Sequence, residues 1–500
     1  MRSLLVLLLA LWGASLALAQ TDVPPTARAL GERIVRAFDE SNYDEAERLL
    51  RQQLQLIPRD FVPHYNLACA LAMRDQTDAA LDSLQRAVEL GFSDSVQLRL
   101  DPNLASVRDH ARFERILEQW HAIVAAQADA RERVLRGTYG DTYAYARDES
   151  LRLLKASSLD PRATAEAHAE IERVTRWALR NVFADLADDR DQYQPGHDAW
   201  VSVILPTPKD FLGWTITTYG PAARGNYFTI GGAYSHDHKQ LVAQDIGATL
   251  RHEFFHVLHH RSTTRLNQQH PVWIQEGLAC LVEDMDPTGP QGSGARPRPV
   301  ASWRTNIAKR LERSTSLMRI EDFAAIPRDR FNRRRPMARY AQARAFFMYL
   351  HDLGKLAEFY STYTATHAED PSGLAAIRAL FPDQSLRQIN TDYRKWIRNL
   401  AWAPEELKPG DASLGLEIET GSGDGPRIVE FPRGDARKAG LRKGDVITAI
   451  NRRPTRDQAE LVRVLAAFEP GDTVTLTLRR RSEYLDAPLT LKPFEPRVLP

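Results

Sequence analysis

Cysteine is almost missing from this chain: it has two in 500 residues, Cys69 and Cys280, far apart in sequence. That excludes a disulfide-stapled scaffold, so stability has to come from packed cores. Charge of one sign is also lacking. Sixty-six Lys and Arg oppose 65 Asp and Glu for a formal +1, which gives no reason to expect nucleic acid or another polyanion as a partner. Beyond the first nineteen residues no apolar run is long enough to span a bilayer. What is present is a 43% hydrophobic fraction, too high for a disordered chain, over a length that implies about three domains.

Residues 1–19 read as an export signal. Met1-Arg2 is a short positive start, Leu4 to Ala19 is almost wholly apolar, and Ala17-Leu18-Ala19 gives the small-x-small end before Gln20. The run is shorter than the roughly 20 residues a spanning helix needs. No Cys follows it to accept a lipid. The expectation is a periplasmic or secreted chain with no stable membrane insertion after cleavage.

In the next segment Asp44, Ala46, Leu50 and Leu54 recur as Asp78, Ala80, Leu84 and Val88, each 34 positions on. A period of that length marks stacked helix pairs. Tyr65 to Ala72 and Asp78 to Leu90 resemble the first and second helices of a TPR repeat, and Asp101 to Ile123 reads as further helix. Partner binding and a structural stalk are both compatible with this pattern.

Val201 to Leu205 reads as a buried strand stopped at Pro206, and Asn226 to Ile230 as another. Gln240 to His260 follows with helical spacing. Within it lies His252-Glu253-Phe254-Phe255-His256. Four residues advance a helix by about 400°, so His252 and His256 share a face and can hold one Zn²⁺. Zinc lowers the pKa of water toward about 7, and Glu253 is placed to take its proton and hand it to a leaving amine. A chain of this composition is expected to contain such a motif by chance only about 0.02–0.03 times.

Zinc needs a third protein ligand and an open position. Pro271-Val272-Trp273-Ile274-Gln275-Glu276-Gly277-Leu278-Ala279 follows, with Glu276 on the inner face of the helix it opens. With the HExxH motif, this Trp-x-x-Glu-Gly-x-Ala pattern resembles the gluzincin metallopeptidases of the peptidase MA-like group. The resemblance implies a thermolysin-like α+β domain with Glu276 as third ligand. A metzincin would need Gly at 259 and His at 262, where His259 and Ser262 stand. His259 and His260 read as helix-end polar residues. Cys280, one turn past Glu276, reads as core packing within reach of the site.

Related peptidases hold an extended substrate along an edge strand, for which Asn226 to Tyr234 is the candidate, with Gly231 and Gly232 allowing close approach. In several gluzincins a Tyr near the end of the catalytic domain stabilises the oxyanion. Tyr340, opening the helical run Arg339 to Leu350, holds that place, and a packing role is equally open. Arg333-Arg334-Arg335 reads as a solvated loop, and Asp286 to Pro299, rich in Gly and Pro, as a flexible one.

Near the end, Ala439-Gly440-Leu441-Arg442-Lys443-Gly444-Asp445-Val446-Ile447, the helix Gln458 to Phe468 and the strand Thr473 to Leu478 resemble a PDZ domain of the bacterial protease type. The resemblance implies capture of chain ends by strand addition, with Leu414, Gly415 and Leu416 receiving the carboxylate.

The expected fold class is thus multidomain: a signal peptide (1–19), TPR-like α-helical repeats (20–130), an α+β thermolysin-like gluzincin domain (131–403) and a small β-rich PDZ domain (411–494). The expected activity is zinc-dependent hydrolysis of peptide or protein substrates, with chain ends recognised by the PDZ domain. Two alternatives stand: an interaction scaffold around an inactive zinc domain, or an aminopeptidase like the glycyl aminopeptidases. The chain lacks the Gly-x-Met-Glu-Asn element of the latter.

Overall fold

A computed structural model describes residues 25–189, 192–225, 230–286, 297–419, 423–430, 437 and 439–495. The export signal and Asn226 to Thr229 lie outside these residues, as does most of the Gly/Pro-rich loop. Among the described residues no helix is long and apolar enough to cross a membrane. The fold mixes helices with β-sheets and ends in a β-rich unit.

The first part is helical. Pro25–Asp39, Tyr43–Leu56, Phe61–Ala72 and Thr77–Glu89 pack in sequence around Leu50, Tyr65, Ala68, Cys69, Leu81 and Leu84. Asn42 and Asp60 cap the second and third by accepting from Glu45 N (3.2 Å) and Val62 N (2.9 Å), which satisfies amides that would otherwise be orphaned. Cys69 is buried in this core, as a small apolar residue would be.

A five-stranded sheet follows: β1 (Ala144–Asp148), β2 (Leu153–Ser157), β3 (Val201–Leu205), β4 (Gly232–Ser235) and β5 (Gln240–Ala243), in the order β1-β2-β3-β5-β4. β2, β3 and β5 run parallel, and the edge strand β4 runs antiparallel to β5. Val201 to Leu205 is the strand its β-branched run predicts. Gln240 is not the start of a helix, however. Leu241, Val242 and Ala243 form β5 between two partner strands, and the helix starts only at Ala248, after Gly247. Eight residues of apparent helical phase were a buried strand plus a turn, a pattern that periodicity alone does not separate.

The helix Ala248–Leu266, called the His helix below, packs against Pro161–Asn181 and against Val272–Glu283, the Glu helix. The latter lies on Pro336–Asp352, the tyrosine helix, where Trp273 stacks on Phe347 at a centroid separation of 5.2 Å. Pro336 at the first helical position fits there because its missing N–H has no intrahelical partner to lose.

The terminal unit has the strands β6 (Glu417–Glu419), β7 (Arg427–Glu430), β8 (Val446–Ile450), β9 (Thr473–Arg480) and β10 (Glu483–Thr490), in that order across one sheet. β6 is its edge. The helix Gln458–Leu465 covers the core formed by Ile428, Ile447, Leu461, Leu465, Leu476 and Leu478.

Candidate functional site

The His helix and the Glu helix bring three predicted ligands to one point. His252 Nε2 and His256 Nε2 are 3.1 Å apart, and Glu276 Oε2 lies 3.4 Å from the first and 3.5 Å from the second. A tetrahedral ion with ligand bonds of about 2.0–2.1 Å has donors about 3.3–3.4 Å apart. The two-imidazole, one-carboxylate set and its spacing therefore fit Zn²⁺. Burial opposes charge on Glu276, but the two imidazoles hold its pKa far below the usual carboxylate range.

Glu253 lies within the electrostatic reach of all three donors. Its Oε2 accepts from the backbone N–H of Tyr234 on the edge strand β4, at 2.8 Å. Burial lifts its pKa above the ordinary value, against the pull of His252 and His256. Gly231 and Gly232 do not leave open space beside β4. A Cβ on Gly231 would lie 2.5 Å from Thr249 Oγ1, and one on Gly232 2.3 Å from Val242 O. These glycines let the edge strand close on β5 and the His helix.

Tyr340 comes near the same place. Its phenol feels Glu276 and Glu253, burial raises its pKa well above the ordinary value, and it donates a long 3.5 Å hydrogen bond to Asn332 Oδ1. Arg333, Arg334 and Arg335 are exposed, as a solvated loop requires. His259 and His260 are not helix-end residues, because the His helix runs on to Leu266 and is closed by Asn267 in the left-handed region (φ 51°). His259 is buried with Nε2 2.8 Å from His270 Nδ1, and burial draws its pKa to about 3. His260 stacks on His236 at 4.5 Å.

Sequence reasoning missed Glu283. Its Oε1 lies 2.9 Å from His252 Nδ1, an ion-pair distance off the line of a good hydrogen bond. An imidazole that ligates through Nε2 is commonly oriented by such a carboxylate on its other nitrogen. The signal was available: Glu283 is seven residues past Glu276, hence on the same helix face. Cys280 joins His252 and Glu283 in a second donor group. The Arg304 guanidinium already forks onto Glu283, with Nη2 to Oε1 at 2.8 Å. That bound cation disfavours a second metal there, and burial pushes the Cys280 thiol up to about 11.

Arg328 was also missed. Among the described residues it makes no hydrogen bond or ion pair, and its Nε is buried without a partner. Burial draws its pKa down to about 10, with Glu276 the anion that opposes this. A cation left unpaired within the influence of Glu276 is a ready receiver for an incoming anion. Nothing in the local sequence marks it off from the other arginines nearby.

In the terminal unit, Leu414 is buried and Leu416 packs against the core. Gly415 takes the left-handed conformation (φ 61°), which favours glycine. Its position faces the stem of Lys492. β6 follows with one edge bonded to β7 and the other without a strand partner among the described residues.

A protein-family model for the PDZ domain matches residues 413–491. The protein named "Probable periplasmic serine endoprotease DegP-like" of Rhizobium meliloti is 34% identical over 80 residues, 16% of this chain and 16% of its own length. A solved HtrA-type protease, AlgW with decapeptide, is 18% identical over 22% of this chain and 36% of its own, with a TM-score of 0.16. An aminopeptidase N family protein of Idiomarina loihiensis is 14% identical over 71% of this chain and 67% of its own, with a TM-score of 0.28. The chain thus spans about a sixth of the length of the first curated relative. The terminal unit of this protein, residues 413–491, is a PDZ domain.

Proposed function

We propose that this chain is an exported zinc metallopeptidase of the gluzincin type, with TPR-like helices before the catalytic domain and the PDZ domain after it. The observation that carries the reading is the convergence of His252, His256 and Glu276 on one point, with Glu253 one residue from the first of them. Zn²⁺ held by these three residues supplies a Lewis acid and an acidified water. Everything else is done by the chain. Glu253, fixed by Tyr234 N–H, takes the water's proton and returns it to the departing amine. Tyr340 is the candidate donor to the developing oxyanion, and Arg328 the candidate receiver of an anionic group on the substrate. Glu283 holds the His252 ring in orientation. Periplasmic residence agrees with the printed names of relatives of the PDZ region and with the leader read at 1–19.

Elemental analysis together with a peptide-library cleavage assay tests this reading. About one zinc per chain and metal-dependent cleavage are expected; a folded chain that takes up no zinc refutes it. For Arg328→Met, loss of a charge-assisted contact should raise KM by about 10- to 100-fold with little change in kcat. An unchanged KM across the library would remove Arg328 from substrate binding.

The PDZ domain is read as a receiver of carboxyl-terminal ends along β6. Fluorescence anisotropy should show a free-carboxylate peptide binding at least about tenfold tighter than its C-terminal amide. Equal binding would show that the Leu414-Gly415-Leu416 loop does not receive a carboxylate.

A further inference from the structure

The PDZ domain is built into the mount of the candidate metal site. At the front of the His helix Gly247 brings no side chain, and Asp245 Oδ1 accepts from Gly247 N at 2.8 Å and Thr249 N at 3.2 Å. The amide between them is capped from elsewhere: Asp457 Oδ2 of the PDZ domain accepts from Ala248 N at 3.0 Å. The other oxygen, Oδ1, accepts from Glu460 N at 2.9 Å and caps the PDZ helix Gln458–Leu465. One carboxylate thus caps two helices from different parts of the chain. Gly247 is required for this, since a Cβ there would meet Asp457 Oδ2 at 2.3 Å.

A second tie lies one turn on. Arg251 is 3% exposed and directly precedes His252. Its Nη1 meets Glu460 Oε1 at 2.9 Å and Glu170 Oε2 at 3.4 Å. Its Nε donates to Val282 O at 2.9 Å and its Nη2 to Glu283 O at 2.6 Å. Contacts therefore run without a gap from Glu460 through Arg251 and Glu283 to His252 Nδ1. Around them, Arg456 bonds Glu170 and Glu460, Arg463 pairs with Asp284, and Gly423 exchanges backbone hydrogen bonds with Gln244 and Ile246. A buried guanidinium with several carboxylates and carbonyls has one arrangement that satisfies all of them, so it fixes its backbone firmly.

We propose that Asp457 and Glu460 of the PDZ helix are positioning residues for the candidate metal site, acting through Ala248 and Arg251 on His252 and Glu283. The proposal rests on the zinc reading above. The PDZ helix is also packed on the core behind Leu416 and Ile418, beside the peptide-receiving edge. The domain that takes up chain ends is in this way also part of the frame that orients a metal ligand.

The test uses the full chain, stripped and reloaded with Co²⁺ as a coloured probe. The parent, Glu460→Gln, Asp457→Asn and, as control, Tyr484→Phe are titrated while the visible absorption is recorded. Tyr484 donates to Asp160 at the same interface but off the Arg251 route. Both acidic-site variants should bind Co²⁺ about tenfold or more weakly with an altered absorption band, the size of effect seen when a ligand's supporting contact is lost. Tyr484→Phe should match the parent. In the metal-free chains, amide hydrogen exchange over residues 245–256 should quicken in the two variants only, a readout that survives if either binds Co²⁺ too weakly to titrate. Parent-like affinity, spectrum and exchange in folded Glu460→Gln and Asp457→Asn overturn the proposal and leave the zinc reading standing. A parent that binds no Co²⁺ overturns both, and so is told apart from the first failure.

Discussion

Glu253→Gln is expected to lower kcat by about 100- to 10,000-fold while the zinc content per chain stays that of the parent. The amide keeps the shape of the side chain and an oxygen to accept from Tyr234 N–H, so β4 and the His helix stay where they are. It cannot accept a proton. The three converging donors, His252, His256 and Glu276, are untouched, which separates loss of the base from loss of the metal. Steady-state cleavage of a peptide found by the library screen, set beside elemental analysis of the same sample, makes the measurement. Full activity in the Gln variant would sink the assignment of Glu253.

The second large effect is on stability. Trp273→Ala should cost about 3–5 kcal/mol and lower the Tm of the transition that contains the Glu helix. Trp273 is 2% exposed, stacks on Phe347, sits edge-on to Phe323 and Phe346, and donates from Nε1 to Ser372 O at 3.2 Å. It stands one turn before Glu276, so the void opens under a candidate ligand. Differential scanning calorimetry of parent and variant gives the shift. A Tm within about one degree of the parent would show that the Glu helix is held from elsewhere.

How much of this was legible in the sequence depended on distance along the chain. His252, Glu253 and His256 obey the arithmetic of one helix, and Glu276 was singled out by a resemblance; its carboxylate lies beside both imidazoles. The PDZ domain announced itself through Ala439-Gly440-Leu441, a local run. β5 was misread because four apolar-rich residues before a helix look like its first turn. Glu283 obeys a helical interval but was passed over. Arg251 and Glu460 are 209 residues apart, and no spacing rule connects a cation to an anion at that range. Arg328 is set apart only by the partners it lacks, which is a fact about neighbours in space.

The shared cap at Asp457 also bears on where this protein can be cut. The domain bounds expected from the sequence, 403 and 411, leave Pro404 to Gly410 between them, an inviting point at which to trim the chain. A fragment ending there would keep every candidate metal donor, yet leave Ala248 N–H without its acceptor and Arg251 with Glu170 as its remaining carboxylate. Excision would thus be a lesion at the front of the His helix, and a borrowed PDZ domain would restore it only if it carried acidic groups at the places of Asp457 and Glu460. The hinge in the sequence is not a seam in the fold.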